Sequence, residues 1–334
     1  MPVAIKPALG LLLLLADLPA FGRQNQSAPA PATTSTQTAA PSNGISPVHP
    51  QDVISGVDVP KPDLTPDARG NLSQEQMRQL VRVVTENYRA NYKKERDYTY
   101  IDREVENKLD GKGEIKSTES RTYEVMELYG EQVARLIAKD DKPLSERDAA
   151  KEEEKIQKLT DKRKNETEEA RARRHTEEEK QREKNREFVR EVADAYDFHL
   201  VGSEVLDGHD TWVIGGEPRP GFQAQLKEAQ MLSKFHGRLW IDKDEMQLVK
   251  MDVEALDTVS FGWVLARIHK GTRLVFEQTR VNGEVWLPRH LSFKFDARVA
   301  LFKGYNEQDE ETYRDYKKFR ATARIVDVGD VQKK

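Results

Sequence analysis

The chain has 334 residues, no cysteine, and 54 lysines and arginines against 58 aspartates and glutamates. The net charge of −4 excludes the basic excess that a general nucleic-acid or anionic-membrane binder would carry. Without cysteine there is no disulfide framework and no thiol to carry a lipid, so the fold must rest on apolar burial, for which the chain is long enough.

At the N-terminus, Lys6 precedes the apolar run ALGLLLLLA, and LPAFG supplies small residues at Ala20 and Gly22. A charged start, a short apolar core and an A-x-G end describe a secretory signal peptide over residues 1–22. The run is short for a membrane span, so the expectation is a periplasmic or secreted protein with no stable span after cleavage; a retained anchor is the alternative. Residues 23–70 then read as a disordered tether, rich at first in Ala, Pro, Ser and Thr and later punctuated by proline. Such a composition buries too little apolar area to offset the entropy of ordering it.

Folding is expected over 71–330. Ser73 followed by Gln76 is a capping-box pattern, and Met77, Leu80, Val81, Val84 and Tyr88 recur at helical spacing. Short alternating segments follow: YTYIDREVENKL, the Asp110-Gly111 turn, EIKSTESRTYEVMEL and QVARLIA. Residues 145–193 interrupt this meander with an almost wholly charged stretch of helix formers, including the favourable pair Glu154 and Lys158. Too few apolar residues occur there for a coiled-coil seam. The reading is one solvated helical arm, projecting about 70 Å at the α-helical rise. A hairpin breaking near Lys164-Asn165 is the rival.

Strands resume with DFHLVGSEVL, Asp207-Gly208 and TWVIGG; QLKEAQMLSKF reads as a short helix. In GRLWIDKDEMQLVKMDVEA two strands flank a polar turn, with Val249, Met251, Val253 and Ala255 expected on one face and Lys250, Asp252 and Glu254 on the other. SFGWVLARIHK and TRLVFEQTRV follow as strands. Asn282-Gly283 is the strongest two-residue hairpin signal, because both central positions of a type I′ turn need positive φ. EVWLPRHLSFKFDARVAL and YRDYKKFRATARIVDV close the set. About ten or eleven strands without crossover helices imply an antiparallel sheet in an α+β fold.

Chemistry is sparse. None of the seven histidines stands four residues from another, and no zinc, nucleophile-elbow, Walker or dinucleotide motif occurs. The expectation is a protein that is not an enzyme, with no catalytic residue, metal or cofactor. Trp212, Trp240, Trp263 and Trp286 all fall on predicted strands, either as core or as the wall of an apolar cavity.

LWIDKDEMQLVKMDVEA, then VNGEVWLPRHL, then YRDYKKFRATARI, after an amphipathic helix and a meander, resemble the outer-membrane lipoprotein-sorting protein family. That group includes the periplasmic carrier and receptor of the Lol pathway and the N-terminal domain of an envelope-stress regulator. The similarity covers roughly 73–328 without the charged arm, which stands as an insertion. It implies a curved antiparallel sheet, a half-open β-barrel closed on one side by helices, with an apolar inner face for lipid or the acyl chains of lipidated proteins. Trp240, Met251, Val253, Trp263 and Trp286 are the expected lining residues. The alternative is an envelope scaffold or regulatory module that meets a protein partner through 145–193. No nucleic-acid partner is expected.

Overall fold

The computed structural model describes residues 63–65, 67–68, 72–95, 97–129, 131–261, 266–299 and 303–319. The expected signal peptide, the tether as far as residue 62, Trp263 and the segment beyond 319 lie outside them.

Three α-helices are described: α1 (Gln74–Glu95), α2 (Glu146–Lys164) and α3 (Glu168–Ala195). The strands before the charged insertion are β1 (Tyr98–Leu109), β2 (Ile115–Leu128), β3 (Glu131–Lys139) and β4 (Lys142–Pro143). After it come β5 (Tyr196–Leu206), β6 (His209–Pro218), a 3-10 helix over Glu228–Lys234, β7 (Phe235–Asp242) and β8 (Leu248–Ala255). The series ends with β9 (Val259–Phe261), β10 (Ala266–Ile268), β11 (Arg273–Val281), β12 (Val285–Val299) and β13 (Lys303–Lys318).

Eleven strands form one path, β4-β3-β2-β1-β13-β12-β11-β8-β7-β6-β5; off it, β10 pairs with β12 and β9 pairs with β10. The pairings are antiparallel, as expected where hairpins rather than crossover helices join neighbours. The path ends at β4 and β5, which do not pair among the described residues, so the curved sheet stays open. The longest-range pairing joins β1 to β13, from Tyr98 opposite Lys318 to Lys108 opposite Glu307, with a shift of register between Thr99 and Ile101.

Local signals act as their chemistry requires. The Ser73 backbone N–H donates to Gln76 Oε1 at 2.8 Å, and the Gln76 N–H donates back to Ser73 Oγ at 3.2 Å. That reciprocal cap starts α1. Asn282 and Gly283 have φ of 52° and 67°, which is the hairpin geometry expected between β11 and β12. SFGWVLARIHK, by contrast, is not one strand: β9 and β10 pair with each other across residues 262–265.

The charged insertion also departs from the expected single helix. It breaks at Asn165–Thr167, and each half has its own cap: Ser145 Oγ accepts from the Asp148 N–H, and Thr167 Oγ1 from the Ala170 N–H. Glu166 at the break receives Arg174 at 3.0 Å and Arg163 at 3.4 Å. A cap residue and an ion cluster within three positions end one helix and start the next. The two helices run from β4 to β5, the opposite edges of the sheet. Arg135 of β3 reaches Glu153 of α2 at 3.4 Å, and Phe188 and Ala195 of α3 are buried in the helical core. The insertion is therefore anchored at both ends rather than projecting freely.

That core joins Met77, Leu80, Val81 and Val84 of α1 to Phe198, Ile214 and Ile241 of β5, β6 and β7. The face carrying α1 is the inner face of the sheet.

Candidate binding face of the open sheet

Register decides which side chains face inward. Leu239 lies opposite Met251 and Trp240 opposite Lys250, but Ile241 lies opposite Leu248. Val249 is the extra residue of a β-bulge. It joins Val213, Trp240 and Trp286 in a small cluster apart from Met251, so the expectation that Val249 shares a face with Met251 and Val253 is corrected.

Inside, Met251 faces Leu239 on one side and Phe276 on the other, and Phe276 faces Leu291. Val253 faces Leu274, and Leu274 faces Phe293. The Phe293 and Phe295 rings stack at 5.4 Å. These residues form one buried cluster with Ile268, Tyr100 and Tyr313, with Val253 packed partly exposed against it. Phe276, at its centre, is wholly buried. Of α1 only Tyr88 packs on this cluster; the first turns of the helix lie over β5–β7, and its last turns reach Trp286 at the start of β12.

Trp240 and Trp286 are not part of this lining. Adjacent strand positions face opposite ways, so with Met251 inward, Lys250 and the Trp240 across from it point outward. Each indole N–H there has a carboxylate: Trp240 donates to Glu204 at 2.7 Å and Trp286 to Glu245 at 2.8 Å. Lys250 Nζ sits 5.3 Å from the Trp240 ring centroid, and the His209 ring meets Trp286 edge-on at 4.7 Å.

Six acidic residues absent from the sequence reading occupy the other half of the inner face. On β1 these are Asp102, Glu104 and Glu106, which alternate inward with Tyr100; on β13 they are Glu307, Asp309 and Glu311, which alternate with Tyr313. Glu104 lies opposite Glu311 and Glu106 opposite Asp309. Asp102, flanked by Tyr313 and Tyr123 on the neighbouring strands, is 1% exposed, and neither of its carboxyl oxygens has a hydrogen-bond partner. Burial, then the charges of Glu311 and Glu104, push its carboxyl up to about 9. Tyr313 is held well above the ordinary phenol range, first by burial and then by Glu311. The sequence of YTYIDREVENKL marks a strand without saying which side its acids take; the pairing with β13 decides it.

Among the described residues no group of three or more histidines, aspartates and glutamates could hold a metal ion, and no helix is long and apolar enough to cross a membrane.

Fold and site together define an α+β protein: an unclosed, curved antiparallel sheet with helices on part of one face, and a buried apolar cluster and an acidic strip on the rest. Solved structures similar to the chain include a domain from Vibrio parahaemolyticus described as a putative outer membrane lipoprotein-sorting protein, at 11% identity and a TM-score of 0.32, over 73% of this chain and 94% of that one. A LolA superfamily protein from Nitrosomonas europaea matches at 10% identity and a TM-score of 0.27, over 70% and 93%. The Pseudomonas aeruginosa MucA/MucB complex matches at 9% identity and a TM-score of 0.20, over 73% and 99%. No protein-family model matches the sequence. No curated protein matches it either.

Proposed function

We propose that this protein binds the hydrocarbon part of a lipid or of a lipidated protein on its inner face, in the periplasm or another secreted compartment. The observation that carries this is the apolar bed of Met251, Phe276, Leu291, Phe293 and Phe295, which spans three neighbouring strands away from the main contact of α1. Each methylene transferred from water onto such a bed contributes about 0.8 kcal/mol, so a long alkyl chain is held without any reacting group. The reading is of a binder, not an enzyme.

Mass spectrometry of protein purified without detergent tests it. A co-purifying lipid or acylated protein is expected, together with its loss in Phe276→Asp if that variant still folds. If it does not fold, the milder Leu291→Gln takes its place, with weaker uptake of an alkyl fluorophore expected. Repeated absence of any bound hydrocarbon, and no fluorophore uptake by the unaltered protein, would refute the proposal.

A further inference from the structure

The chain-wide balance of charge conceals a segregation along the helical insertion. Residues 155–175, which hold the break between α2 and α3, carry eight lysines and arginines against four aspartates and glutamates. The flanking 146–154 and 176–195 are acidic, at two against five and five against seven. Outside 155–175 the whole chain stands at 46 against 54. The break is a basic island on an acidic protein.

Its geometry displays that charge. Lys151, Lys155, Lys158 and Lys162 recur at steps of four, three and four residues, which places them on one face of α2. Ile156 and Leu159, partly buried, and Arg163, buried, form a separate seam. Lys151, Lys155 and Lys158 pair with Asp148, Glu152 and Glu154 one turn back. These lysines are 55%, 68% and 73% exposed, and ion pairs so wet contribute little, so an outside anion can replace the carboxylates. Lys162 and Lys164 close α2 and Arg173 follows the start of α3; all three are exposed, and among the described residues none forms an ion pair. The dipole of α2 suits Lys162 and Lys164 at its end, but Arg171 and Arg173 stand within two turns of the start of α3, where positive charge gains nothing from it. No residue of 155–175 joins an apolar cluster of the body, so the island stands between the anchors at Glu153 and Phe188.

Composition selects the partner. A protein interface takes most of its affinity from aromatic and apolar anchors in a packed centre. Residues 155–175 include no aromatic side chain, and their two large apolar ones, Ile156 and Leu159, lie in the seam. What remains is positive charge spaced over about 16 Å of α2 and continued past the break. Clustered lysine and arginine on a helix of this kind reads a plane of phosphates.

We propose that residues 155–175 dock on the headgroups of an anionic lipid surface. The contact is electrostatic and needs no apolar insertion. Such a surface is also a source of the hydrocarbon assigned to the inner face, yet the docking does not depend on that assignment.

The test is sedimentation of the full chain with vesicles of phosphatidylcholine, with and without phosphatidylglycerol, at low salt. Binding at least about tenfold tighter to the anionic vesicles is expected, and its loss at about 1 M salt, where charges are screened within about 3 Å. Lys155→Gln/Lys158→Gln/Lys162→Gln/Lys164→Gln should lose most of that preference. Lys112→Gln/Lys116→Gln/Lys227→Gln/Lys270→Gln, an equal change of charge at exposed sites elsewhere, should keep it. Should the first variant not fold, Lys162→Gln/Lys164→Gln carries the comparison. Equal binding to both kinds of vesicle, or equal losses in the two variants, overturns the proposal. Duplex DNA bound as tightly as the anionic vesicles overturns the lipid and assigns the island to nucleic acid; polyglutamate bound as tightly assigns it to an acidic protein. Uptake of an alkyl fluorophore is measured alongside. Its absence from the unaltered protein counts against the hydrocarbon reading alone and leaves the docking standing.

Discussion

Asn91 joins the last turns of α1 to the sheet at a place where no strand can. β13 pairs with β12 only from His290 onward, so the backbone of Trp286 lacks a strand neighbour on that side. The Asn91 amide fills the gap: its Oδ1 accepts from the Trp286 N–H at 2.7 Å, and its Nδ2 donates to the Trp286 carbonyl. The side chain is 6% exposed. Replacing it with leucine keeps the volume, excludes water and strands both backbone groups. Each costs about 1–3 kcal/mol, and the added apolar contact returns about 1 kcal/mol, so the net loss is about 1–5 kcal/mol. Urea unfolding should show this as a lower midpoint with an unchanged slope. Asn91→Asp sharpens the test. While neutral, the introduced carboxyl can accept and donate as the amide does; once ionised, it faces the Trp286 carbonyl with a negative charge. Its folded-state pKa is thereby raised above the usual value of about 3.9, so stability must fall as pH rises from about 4 through the raised value. A leucine variant losing less than about 0.5 kcal/mol, or an aspartate variant equally unstable at both ends of that range, would refute the reasoning.

Two further outcomes follow from the same geometry. The Asp102 carboxyl, raised from 3.8 to about 9, keeps in the folded state a proton that the unfolded chain loses. Stability should therefore fall as pH rises between those values, and Asp102→Asn should melt higher than the unaltered protein near pH 8. Thermal scans across pH check this, and a gap that fails to narrow toward pH 4 counts against it. On the outer face, Trp240→Phe removes the indole donor from Glu204 but keeps the ring between its neighbours. A loss of about 1–2 kcal/mol is expected with alkyl-fluorophore uptake unaltered, whereas weakened uptake would return Trp240 to the lining.

The elements were legible in the sequence because their causes are local. Period-two alternation marks the strands, positive φ at Asn282-Gly283 fixes a hairpin, and Ser73 with Gln76 starts a helix by mutual hydrogen bonding. The resemblance to lipoprotein-sorting proteins carried the open antiparallel sheet as well. The charged stretch was plainly helical, yet its break was harder to read, because Asn165 and Thr167 are ordinary surface residues until Thr167 is seen capping α3.

Facing was not legible. Alternation says that neighbours oppose each other and leaves open which set goes inside, and one inserted residue resets the answer. The bulge at Val249 did this, and Trp240, aromatic enough for any core, stands outside because Met251 stands inside. The acidic strip is the stronger case. Asp102, Glu104 and Glu106 lie about 200 positions from their partners on β13, and each run alone resembles a wet face. Hydrogen bonds between distant strands set that register, and side-chain composition within either strand carries no record of it.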